Sequence, residues 1–209
     1  MTTDPAARIP PGTRAEIGAV NFAITRLLGA ATGGAPPNLF TTLARHRSLF
    51  RRWLRFAGAL MPGGLLPRED SELLILRVAH NCGCDYEWHH HERIALGVGL
   101  TAEEIQRVRR GPEGVDWSPR RAQLLAAADE LHARHTISDT VWSQLDVLFS
   151  NEELIELCLL VGHYEMLAMT LNALQVAPDR LPAGRMPVGM RMLESIIVRR
   201  GRGAERSSS

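Results

Sequence analysis

Apolar residues recur every three to four positions along most of this chain, and no stretch alternates Val, Ile or Thr with polar residues over a strand's length. The pattern predicts helices throughout. Ala15 to Ala31 reads as the first, with Ile17, Val20, Phe22, Ile24 and Leu27/Leu28 as an imperfect stripe, ended by Thr32-Gly-Gly-Ala-Pro-Pro. Asn38 to Leu60 reads as two short helices split near His46, with Leu39, Phe40, Leu43, Leu49, Trp53, Phe56 and Leu60 inward. Pro67 opens a helix running to about Asn81, and its first turn gathers Glu69, Asp70 and Glu72 where the helix dipole favours anions. Gly83 separates it from a helix starting near Cys84 or Asp85 and closed by Gly97 and Gly99.

Three further starts carry capping chemistry. Thr101-Ala-Glu-Glu104 and Ser150-Asn-Glu-Glu153 are capping boxes, and Ser118-Pro119 places an N-cap before a proline at the first helical position. Arg120–Arg134 and Thr140–Phe149 read as amphipathic helices, and a long apolar helix runs from Ser150 to Val176. The fold class expected is all-α, with a mobile arm over 1–14, one helical domain over 15–180 and a partly disordered extension over 181–209. The apolar run Met190–Val198 is the expected subunit contact. Asp85-Tyr-Glu-Trp and His163-Tyr-Glu-Met, each followed at the same offset by Ala-Leu, suggest two related helical hairpins; chance likeness between two Leu/Ala-rich helices explains them as well.

Composition narrows the function classes. A formal net charge of +1 over 209 residues provides no field for nucleic acid or an anionic membrane. All the basic residues other than His are Arg, so a Schiff-base lysine mechanism is excluded. Three cysteines, two of them in a C-x-C, do not form a secreted disulfide framework, and the N-terminus lacks an apolar signal core; a cytoplasmic location is the expectation. Leu154–Val176 is apolar enough to raise the membrane question, but Glu156, His163, Glu165 and Asn172 would be costly in lipid, so a buried central helix is expected.

The chemistry concentrates between Glu72 and Leu100. Cys84, Glu87 and His91 stand at i, i+3 and i+7, one row along a helix face. At about 1.5 Å per residue the thiol and imidazole are roughly 10 Å apart, with Glu87 between them and able to touch either. Such a row can relay protons; equally, a Cys at a helix start can be a small buried hydrophobe and a helical His a satisfied core residue. His89, His90 and His91 point about 100° apart and cannot converge on one ion, so no metal or other cofactor is expected. His163 and Glu165 read as a polar pair in the core, and Cys158 as structural. Phosphate loops, nucleophile elbows and dinucleotide fingerprints are missing from the sequence.

The segment Glu72 to His91 (ELLILRVAHNCGCDYEWHHH), continued by Ala95-Leu-Gly-Val-Gly-Leu-Thr-Ala-Glu-Glu104, resembles the carboxymuconolactone decarboxylase family, whose superfamily includes the alkyl hydroperoxidase D-like (AhpD-like) thiol peroxidases. Ile137-Ser-Asp…Trp142 and Leu160-Val-Gly-His-Tyr-Glu-Met166 extend the likeness. The resemblance implies an all-α, AhpD-like bundle assembling into trimers or hexamers, acting on a small molecule. Of the peroxidase branch's Glu, C-x-x-C and His, it matches Glu72, Cys84 and His91, while Glu87 stands where the second cysteine would be. It therefore implies acid/base chemistry on a small organic acid or lactone, with His91 as acid/base, Glu72 and Glu87 relaying protons and Cys84 lining the site. Arg77, with Tyr86 and Trp88, is the expected substrate-binding set. A thiol-dependent peroxidase using Cys84 and a non-catalytic helical scaffold are the alternatives.

Overall fold

The computed structural model describes residues 7–31, 34–113 and 116–179. Among them there are ten α-helices and no strand: α1 (Arg14–Ile17), α2 (Ala19–Ala31), α3 (Asn38–Leu43), α4 (Arg47–Leu60), α5 (Arg68–Asn81), α6 (Asp85–Val98), α7 (Ala102–Val108), α8 (Pro119–Arg134), α9 (Asp139–Leu148) and α10 (Asn151–Leu174). The fold class is all-α, as the periodicity predicts. Contacts divide the chain into two units, Met1–Gly63 with Ala173–Ser209, and Gly64–Asn172. The Met190–Val198 segment and the rest of the expected C-terminal extension lie outside the described residues.

In the first unit, Gly18 at φ +81° breaks the single helix expected from Ala15 into α1 and α2. A side chain is strained at that φ, so the glycine permits the turn. Ile17, Ala44 and Phe50 form a buried cluster, with Phe22, Ile24, Phe40, Leu43, Trp53 and Leu54 packed on it. The expected stripe is only half right. Val20, Leu27, Leu49 and Phe56 are exposed, whereas Asn21 and Thr25 are buried. Asn21 earns its place through hydrogen bonds: its amide donates to the carbonyls of Ala44 (3.4 Å) and Arg47 (3.3 Å) and accepts from Arg51 (3.1 Å).

Residues 7–13 of the expected mobile arm are tied down. Arg8 N–H donates to the Leu174 carbonyl (3.0 Å), its guanidinium to the Ala173 carbonyl (2.9 Å), and Gly12 N–H to the Thr41 carbonyl (3.1 Å).

The second unit is built around α5. Its run from Asp70 to Leu76 is buried on every side, as a helix packed against several neighbours requires. α6, α7 and α8 pack on it, and α9 packs on α8. Its buried Asp70 is neutralised by Arg120 (2.7 Å) and Arg121 (3.6 Å), and Arg120 continues to Glu153 at the start of α10 (3.1 Å). The predicted caps form: Thr101 with Glu104, Ser118 with the Arg121 N–H, and Ser150 with Glu153. α10 is long and apolar enough to cross a membrane, yet 56% of that window is buried inside the fold. Its buried Glu156 accepts the backbone N–H groups of Leu65 (2.5 Å) and Leu66 (3.0 Å), which lead into α5.

Candidate active site

All the site residues belong to the second unit. α5 ends with Cys82 as its C-cap, Gly83 turns the chain at φ +57°, and Cys84 is the N-cap of α6. The turn is held by Cys84 N–H on the Ala79 carbonyl (2.9 Å) and Gly83 N–H on the His80 carbonyl (3.1 Å). A turn this short makes α5 and α6 neighbours, so Glu72 and His91 meet despite 19 residues of separation.

That meeting is the centre of the site. His91 Nδ1 lies 2.7 Å from Glu72 Oε2, with Glu72 completely buried and His91 nearly so. A carboxylate acceptor places the hydrogen on Nδ1, which leaves Nε2 as the atom able to take or give a proton. Arg68, one helical turn before Glu72, donates to its other oxygen (3.1 Å) and partly offsets the buried charge. The Tyr164 ring of α10 stands edge-on to His91 at 5.1 Å between centroids. Burial, then the charges of Glu72 and Glu87, push its phenol well above the usual range, so the ring stays neutral.

Glu87 is placed on the same face of α6 but is not bonded to His91. Both its oxygens are buried without a conventional hydrogen bond, although the carboxylate interacts with the Cys84 thiol. Desolvation pushes Glu87 up to about 8, the thiol contact opposes the shift, and the charge of Glu165 adds to it. Burial and the neighbouring Glu87 likewise push Cys84 up to about 12, against the pull of the Glu87 and Tyr86 N–H groups at the helix start. The expected row of three therefore falls into two couples, His91 with Glu72 and Glu87 with Cys84. The long gap between thiol and imidazole is not bridged by a chain of hydrogen bonds.

The three residues of the expected substrate set have different surroundings. Arg77 is engaged within the fold: it grips Asp129 through Nε (2.5 Å) and Nη2 (2.8 Å) and donates to the carbonyls of Val108 (2.8 Å) and Arg109 (3.1 Å). Gly111 leaves room for it, since a Cβ there would meet Arg77 Nη2 at 2.8 Å. Trp88 is buried beneath the Arg109 guanidinium, 3.7 Å from its ring centroid. Tyr86 stacks on His90. The three histidines diverge as their spacing requires: His89 is exposed and bonded to the Asp85 carbonyl, His90 faces Tyr86, and only His91 reaches Glu72.

A second polar group was not anticipated. The carboxylate of Glu165, expected to pair with His163, turns to Cys82 (3.2 Å) and to His132 of α8 (2.6 Å). Positions two apart on a helix point in different directions. The repeated Tyr-Glu in α6 and α10 was the one sequence signal available here. It places Glu87 beside Cys84 and Glu165 beside Cys82.

The described residues form an all-helical bundle with a buried carboxylate–imidazole couple between the two helices of a hairpin, and known proteins share this fold. Residues 47–130 match the model of the carboxymuconolactone decarboxylase family. The alkylhydroperoxidase AhpD core of an uncharacterized peroxidase-related protein from Ralstonia eutropha JMP134 matches with a TM-score of 0.75 and 20% identity, over 85% of this chain and 95% of that one. A peroxidase-related protein from Silicibacter sp. TM1040 matches at 0.73 and 15% identity, over 88% of this chain and 99% of that one. The debrominase Bmp8 matches at 0.70 and 15% identity, over 90% of this chain and 97% of its own. At these identities the structural likeness carries the fold. No curated protein sequence matches the chain significantly. The matched segment is similar to that family over 84 of the 209 residues, and the chain shares the all-helical AhpD-like fold of these structures.

Proposed function

We propose that this protein is an acid/base enzyme of the carboxymuconolactone decarboxylase type, acting on a small organic acid or lactone with His91 as the proton-transferring group. The observation that carries the reading is the buried 2.7 Å contact between His91 Nδ1 and Glu72. Glu72 fixes the imidazole's tautomer and balances the imidazolium that forms when Nε2 takes a proton. Loss of carbon dioxide from a substrate leaves an electron pair on carbon, and His91 returns a proton to it. Glu87 serves as the second acid, because a carboxyl held at about 8 keeps its proton at neutral pH. With Arg77 engaged elsewhere, Arg68 beside the Glu72–His91 couple takes the role of holding a substrate carboxylate. Trimeric or hexameric assembly, as in the family, belongs to the same proposal and is checked by light scattering.

The test is a panel of lactones and small carboxylates followed for ring opening and carbon dioxide release. His91→Ala should cost about a hundredfold or more in kcat, the usual weight of a positioned acid or base. Unchanged turnover in His91→Ala would sink the proposal.

A thiol-dependent peroxidase is the second reading. It is favoured by the peroxidase-related structural relatives and by a cysteine-to-alanine variant of the debrominase solved with 2,3,4-tribromopyrrole. Here Cys84 would become a sulfenic acid as a hydroperoxide is reduced to the alcohol, and an external dithiol would restore it. Hydroperoxide consumption that needs both Cys84 and the dithiol supports this reading; activity in neither assay leaves the helical scaffold.

A further inference from the structure

Cys82, His132 and Glu165 come from three different helices of the second unit: the C-cap of α5, the last turn of α8 and the middle of α10. Their donor atoms close a triangle. Cys82 Sγ is 3.2 Å from Glu165 Oε2 and 3.9 Å from His132 Nδ1, and His132 Nδ1 is 2.6 Å from Glu165 Oε1. We propose that this triangle is a binding site for one zinc-class divalent cation, distinct from the His91–Glu72 couple.

The donor set has the composition such an ion takes. A thiolate, an imidazole and a carboxylate suit a borderline cation, and three protein donors leave a fourth position for water. The geometry needs little adjustment. A tetrahedral zinc with bonds of about 2.3 Å to sulfur and about 2.05 Å to nitrogen and oxygen would space sulfur from the other donors by about 3.6 Å, and nitrogen from oxygen by about 3.3 Å. The two sulfur distances straddle the first value. The imidazole–carboxylate distance has to open by less than an ångström, within reach of side-chain rotation.

Charge also closes. A divalent cation takes the place of the hydrogens that Cys82 and His132 now direct at Glu165: the thiol proton passes to solvent and the imidazole hydrogen moves to Nε2. One thiolate and one carboxylate then balance the +2 ion. Asn172 Nδ2 holds the Cys82 carbonyl at 3.1 Å and so fixes the backbone of the sulfur donor. His132 is 36% exposed at its side chain, which leaves the ion a way in.

The test is made on the full chain, stripped with a chelator and titrated with Co(II), then with Zn(II) in competition. The expected result is one Co(II) per chain with sulfur-to-cobalt absorption in the near ultraviolet, displaced by one Zn(II). Cys82→Ser should abolish that absorption, and His132→Ala and Glu165→Gln should weaken binding at least tenfold, while Cys84→Ser and Cys158→Ser retain it. His132 lies at the rim, so its variant tests the site should Cys82→Ser fail to fold. Wild-type protein without the absorption would overturn the proposal. So would absorption that survives Cys82→Ser, or that vanishes with Cys84→Ser alone. The readout is binding, so it stands or falls independently of turnover at His91.

Discussion

Glu87 offers the sharpest test of the site's electrostatics. Its carboxyl is 2% exposed, and burial raises it from 4.5 to about 8. A carboxyl raised in the folded state binds its proton more tightly there than in the unfolded chain. Its stabilising contribution is therefore complete below pH 4.5 and is lost as pH climbs through about 8. At roughly 1.4 kcal/mol per tenfold, the whole change amounts to about 5 kcal/mol. That is comparable with the entire stability of many domains, about 5–15 kcal/mol. Glu87→Gln keeps the shape of the protonated acid and cannot ionise. Relative to wild type it should gain about 4 kcal/mol between pH 5 and pH 9, with the two proteins close together at pH 5. Urea unfolding midpoints of both proteins, measured at each pH, give the difference directly, and titrations shared by both cancel. Parallel stability curves across that range would refute the assignment of a neutral, buried Glu87, and with it the second acid of the proposed chemistry.

Other consequences are simpler to read. Arg77→Ala removes both prongs from Asp129 and strips donors from two carbonyls; it should cost about 2–4 kcal/mol in chemical denaturation and leave kcat at the site unchanged. A raised KM without a loss of stability would return Arg77 to the substrate. Gly111→Ala should be destabilising as well, because it combines φ +84° with a 2.8 Å approach to Arg77, and an unchanged melting temperature would contradict that crowding. Glu156→Gln trades one of the two acceptors for Leu65 and Leu66 N–H for a donor. A loss of about 1–3 kcal/mol is expected, and thermal unfolding measures it.

Much of the site's frame was legible in the sequence. The caps at Thr101, Ser118 and Ser150, the break at Gly83 and the divergence of His89, His90 and His91 are all settled within about four residues, where backbone geometry alone decides which groups meet. The same local rules set Cys84, Glu87 and His91 on one face. They could not say which neighbours would face that row. The local pattern also misjudged Val20, Leu27, Leu49 and Phe56, which are exposed, because helical spacing defines a stripe but not which helix covers it.

Only the packing of α5, α6, α8 and α10 decided that Arg77 belongs to Asp129, 52 residues away, and that Glu165 belongs to Cys82, 83 residues away. A long side chain on a helix surface has several partners within reach, and which one it meets depends on rotations and offsets between helices that local spacing does not encode. The sequence by itself determined the helices, their caps and the residue types available for chemistry. Tertiary structure decided the couples: Glu72 with His91, Glu87 with Cys84, and Glu165 with Cys82 and His132. Proton affinity in a buried site depends on which charges lie within a few ångströms, and that distance is a property of the fold.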